Sequence, residues 1–80
     1  MLKEIISIID GTIREAEKIG NHSHTRESLA EANRLISVAQ DTIIYALKRK
    51  EVSVVNAYNL IYYFNLDDSD IWERFYCFVK

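Results

Sequence analysis

Leu29, Ala32, Ile36, Ala39, Ile43 and Ala46 follow one another in steps of 3, 4, 3, 4 and 3 residues. That rhythm is a heptad seam, and it is satisfied by a helix several turns long with a narrow apolar stripe. Leu35, Val38, Ile44 and Leu47 widen the stripe, so the helix is expected to pack against more than one neighbour. Thr25 is placed to cap the N-terminus, and Glu27 meets the positive end of the helix dipole. Lys48, Arg49 and Lys50 meet the negative end, so the helix is predicted over residues 25–50.

Upstream, Leu2, Ile5, Ile6, Ile9, Ile13, Ala16 and Ile19 repeat the spacing with charged residues between them. Asp10 precedes Arg14 by one turn, the favoured order for a helical ion pair. Asp10-Gly11 is also a turn signal, but the apolar phase is the same on both sides of it. A helix over residues 2–19, stopped by Gly20-Asn21, is therefore predicted. With a short polar connection through His24, the two segments make a long antiparallel hairpin.

The remaining third is harder to read. Val52, Val54, Val55, Tyr58, Ile61, Tyr62, Tyr63 and Phe64 are strand-prone types. Yet Ser53, Asn56, Asn59 and Tyr63 recur every three or four residues, as on the wet face of a helix. A lone strand would also have no partner within the chain. No proline occurs in the 80 residues, which removes a breaker that costs a helix about 3 kcal/mol. Helices over 53–65 and 68–79 are predicted, the second capped by Asp67 with Asp70 one turn before Arg74. The expected fold is all-α: a small helical bundle in one domain, 1–80, made of the hairpin and two shorter C-terminal helices.

A chain this short buries only about 60% of the surface its unfolded form exposes, so its margin of stability is thin. Cys77 is the sole cysteine, which rules out an internal disulfide and fits a reducing, cytoplasmic setting. Stability must come from packing or from association. The apolar run Ile5–Ile9 is too short to cross a membrane, so no membrane partner is expected.

Motifs for chemistry are sparse. Asn65, Asp67, Ser69 and Glu73 echo the early positions of a calcium loop, but Asp70 stands where glycine is needed and Tyr76 where a bidentate glutamate is needed. His22 and His24 make half a metal site at best, with no third ligand in register. Cys77 lies among Phe75, Tyr76 and Phe78, without a base to activate it. The chain carries no Gly-rich phosphate loop and no zinc-protease motif. The reading is a non-enzyme with no catalytic residue, no cofactor and no metal.

Charge argues against nucleic acid as the main partner. The net charge is −2; residues 1–50 hold eight basic and seven acidic side chains, and residues 51–80 hold two and five. Ile61, Phe64, Asn65, Leu66 and Ile71 have helix-turn-helix spacing, but the second helix opens on Asp67, Asp68 and Asp70, which phosphate would repel. The alternative that survives is a dimeric DNA-binding regulator using Lys48, Arg49 and Lys50.

Eight of the nine aromatic residues lie from Tyr58 onward. That is more ring area than two short helices are expected to hide, and exposed apolar faces of this size mark interfaces. Tyr62, Tyr63, Trp72 and Tyr76 are the expected partner-binding anchors, with Asp67, Asp68 and Asp70 as an acidic rim. The partner is expected to be another protein with a basic surface. If that protein handles nucleic acid, the rim would compete with phosphate. The expected role is that of an inhibitor or adaptor, and the chain has the size of the small helical ones that phages and plasmids carry. Sealing of the rings in a homodimer, and a small-molecule pocket at Tyr45, Tyr58 and Tyr62, are the other uses of such a surface.

Overall fold

The computed structural model describes the backbone of residues 2–22 and 25–78, and the side chains of 2–20 and 25–78. Among the described residues four helices follow one another: α1 (Leu2–His22), α2 (Arg26–Lys48), α3 (Val54–Tyr63) and α4 (Ser69–Phe78). No strand occurs among the described residues, so the valines and tyrosines of 52–66 yield to helical periodicity. The molecule measures 40 × 25 × 17 Å.

Helix α1 runs unbroken through Gly11, with Arg14 Nε 3.0 Å from Asp10 Oδ2. It also continues past residue 19. Gly20 does not take the left-handed backbone that ends a helix, and α1 runs on to His22, the last described residue before Thr25. Thr25 caps α2 as its sequence position predicts: its Oγ1 accepts the Ser28 N–H at 3.1 Å. The histidine pair His22 and His24 falls on side chains outside the described residues.

The ends of α2 and α3 share one device. Among the described residues, Lys50 and Asn65 are the two non-glycine residues with positive φ, 61° and 56°. After α2, the Lys50 N–H bonds to the Leu47 carbonyl at 3.1 Å and the Glu51 N–H to that of Ala46 at 2.8 Å. After α3, Asn65 bonds to Tyr62 at 3.2 Å and Leu66 to Ile61 at 2.9 Å in the same pattern. Each is a Schellman closure, which ties the last orphan carbonyls to the turn. It halts α2 at Lys48 and α3 at Tyr63, each two residues before the predicted end.

One apolar core joins all four helices. Ile5 and Ile9 of α1 meet Ala39, Ile43, Ala46 and Leu47 of α2, and Ala57, Leu60, Ile61, Ile71 and Phe75 close the cluster. The alanines of the seam are buried and let α1 approach, while Leu29, at the start of the seam, is exposed. Each large aliphatic side chain sealed this way contributes about 1.5–3 kcal/mol.

Gln40 is the one buried polar side chain of the described residues. Its Nε2 donates to the Leu66 carbonyl and to Asp68 Oδ2, both at 2.9 Å. The other oxygen of Asp68, Oδ1, accepts the Ile71 N–H at 2.8 Å. Asp68, not Asp67, therefore caps α4, which begins at Ser69. Gln40 distinguishes the two acids: its amide, held on α2 by the Leu66 carbonyl, bonds to the carboxylate of Asp68, two residues beyond that buried leucine. Arg74 adds a second tie, 2.6 Å from Asp41 Oδ1 on α2 and 3.6 Å from Asp70 Oδ2. Beyond Phe78, the predicted last turn at Val79 lies outside the described residues.

Candidate functional site

Tyr58 and Tyr62 stand one turn apart on α3, and Trp72 and Tyr76 one turn apart on α4. The four rings meet at an angle, edge-on for Tyr58–Tyr62 and tilted for the other pairs. Centroids lie 5.0 Å apart for Tyr58–Tyr62, 5.4 Å for both Tyr58–Trp72 and Tyr62–Trp72, and 6.1 Å for Trp72–Tyr76. Phe75 is buried beneath them, 5.5 Å from both Trp72 and Tyr76. Tilted pairs of this kind gain about 0.5–1.5 kcal/mol each beyond the area they bury. They hold the rings as a ridge instead of free arms. Even so, Tyr62 remains 49% exposed and Tyr76 54%.

The ridge has a polar edge. The Tyr58 hydroxyl beside that of Tyr62, together with burial and the Asp67 carboxylate, pushes the Tyr62 phenol above its ordinary pKa. Asp67, Asp70 and Glu73 are exposed at this end of the molecule. Asp68 is different. The Gln40 amide, then the Ile71 N–H, hold its carboxyl below the usual carboxylate range, and both of its oxygens are engaged within the fold. It positions α4. Among the three acids of the expected rim, Asp67 and Asp70 face solvent without that role, and Asp70 shares Arg74 with Asp41.

Tyr63, the fourth expected anchor, is not part of the ridge. It packs on Phe64 at 4.9 Å and, with Leu2, Ile6, Asn56, Asn59 and Leu60, lines a separate open groove of ≈ 390 Å³ between α1 and α3. Tyr45 is likewise apart from Tyr58 and Tyr62, in a groove between α1 and α2 with Ile5, Ile8 and Thr42. Lys48, Arg49 and Lys50 are exposed, and Arg49 leans toward Glu51 at 3.9 Å. Cys77 is exposed on α4. Among the described residues no cluster of three or more His, Cys, Asp or Glu could hold a metal ion. No described helix is long and apolar enough to cross a membrane.

The sequence reading missed Tyr58 as a member of the ridge, Phe75 as the ring beneath it, and Gln40 as its anchor. Two signals were present. Tyr58/Tyr62 and Trp72/Tyr76 are both four apart, which sets each pair on one helical face. Gln40 falls between Ile36 and Ile43 on the apolar side of α2, where a polar residue needs a partner. No protein-family model matches the chain, and no curated protein or solved structure is significantly similar to it.

Proposed function

We propose that the protein is a non-enzymatic helical module, an inhibitor or adaptor of the cytoplasm, that works by seating the aromatic ridge on a basic surface of another protein. One observation carries this reading: Tyr58, Tyr62, Trp72 and Tyr76 form a continuous, partly exposed ring surface already ordered by its own contacts. Trp and Tyr dominate interface hot spots, and side chains ordered before binding lose less entropy on association. A basic partner suits the surroundings. Lysine or arginine laid over such rings gains about 0.5–2 kcal/mol, and Asp67, Asp70 and Glu73 add attraction that salt screens. On a protein that handles nucleic acid, the same acids would occupy the place of phosphate.

The test compares three immobilised proteins: wild type, a Tyr62→Ser/Tyr76→Ser double variant, and Tyr63→Ser on the other face. A partner from the native host should bind wild type and Tyr63→Ser alike, fall away as salt rises, and be lost with the double variant. Capture by all three to the same extent would refute the reading.

A further inference from the structure

The hairpin carries a second apolar surface, remote from the ridge and unused by the core. On α2 and its C-cap, Glu31, Leu35, Val38, Thr42, Tyr45 and Arg49 follow one another in steps of 4, 3, 4, 3 and 4. This is a second heptad seam, turned away from the one that packs inside. Val38 is 39% exposed and Tyr45 57%, and Ile8 of α1, 56% exposed, stands beside Thr42 and Tyr45 along the interhelical groove. Thr42 donates its hydroxyl to the Val38 carbonyl and Thr12 to that of Ile8, each at 2.8 Å. Neither threonine needs a partner across the face, so both behave there as small apolar residues.

The seam is symmetric about position 40. A two-fold axis at that level would lay α2 antiparallel on its own copy, with Val38 facing Thr42, Leu35 facing Tyr45, and Glu31 facing Arg49. That is the condition for an isologous interface, in which one patch complements itself. The charges at the ends agree with it. Glu31 is held by Arg34, with bonds of 2.6 and 3.1 Å, and Arg49 lies 3.9 Å from Glu51. Brought together, the two couples would alternate in sign, Glu31 to Arg49 and Arg34 to Glu51. Eighteen residues of helix span about 27 Å, and two helices side by side cover about 20 Å. The footprint is on the order of 500 Å² per copy, or ~1,000 Å² in all, at the low end for a specific interface.

We infer that the outer face of the α1–α2 hairpin binds a second copy of this chain, forming a reversible antiparallel dimer that leaves both aromatic ridges free. The inference does not rest on the proposed function. Sedimentation equilibrium on the whole chain tests it. The mass should climb from 9.4 kDa toward twice that value with concentration. Val38→Glu or Tyr45→Glu, on exposed positions, should weaken the dimer about a hundred-fold by burying an unpaired charge against Thr42 or Leu35 of the copy, with helix content by circular dichroism unchanged. Glu31→Arg and Arg49→Glu should each weaken it, and the two together in one chain should restore it. A monomer at every concentration up to millimolar overturns the inference. So does a double charge variant no better than the singles, or a dimer indifferent to these changes and lost instead with Tyr62→Ser/Tyr76→Ser.

Discussion

The hairpin and the tail are stabilised by different means. Helices α1 and α2 are 21 and 23 residues long, joined along an aliphatic seam of isoleucine, alanine and leucine. Helices α3 and α4 have 10 residues each, below the roughly 12–15 at which an isolated helix becomes even marginal in water. They persist because α2 holds them: Ile43 and Leu47 from the core, Gln40 at the turn between them, Asp41 through Arg74. The hairpin could exchange one aliphatic contact for another and keep its shape. The tail depends on a few directional bonds that aim its rings outward, so it is the more specific part and the easier to disturb.

The largest test of that contrast is Ile43→Ala. Ile43 is fully buried where the hairpin meets the tail, and its truncation should cost about 2–5 kcal/mol. A small domain has only about 5–15 kcal/mol in all, so chemical denaturation should show a much earlier, single transition covering both regions. Smaller and more selective is Gln40→Leu, which keeps the volume but strands the Leu66 carbonyl and one oxygen of Asp68. The expected cost is about 1–3 kcal/mol, read as faster amide exchange in α3 and α4 with the middle of α1 and α2 unchanged. Equal acceleration everywhere would dissolve the contrast, because the tail would then open only when the whole molecule unfolds.

The smallest effect depends on pH. Asp68 has a folded pKa below its unfolded value of about 3.9, so its ionisation stabilises the fold fully above that pH. The contribution is lost as pH falls through the lower folded value. Asp68→Asn keeps a capping oxygen but no charge. It should shift stability by less than about 1 kcal/mol at neutral pH and make the loss of stability in acid shallower. A denaturation midpoint with the same acid slope in both proteins would show that the cap works without its charge.

How far these features can be read in the sequence follows from the range over which each is decided. The hairpin is written in local periodicity: the steps from Leu29 to Ala46 and from Leu2 to Ile19 fix both helices and their shared face. Thr25 as a cap is equally local. The ends at Lys48 and Tyr63 are not, because both Schellman turns place lysine or asparagine where glycine is the usual signal. Asp67 and Asp68 are indistinguishable as caps until Gln40, 28 residues from Asp68, enters the same site. The anchors Tyr62, Trp72 and Tyr76 converge as a ridge, but Tyr63 does not. One residue along a helix is a turn of about 100°, and strand-prone composition hides that phase.

Trp72 is the only tryptophan of the chain, and it sits at the centre of the four-ring surface. The protein thus carries its own fluorophore at the place where occupancy matters. Any molecule that settles on the ridge must strip water from that indole, shifting its emission without a label. Association through the hairpin's outer face would leave the spectrum as it was.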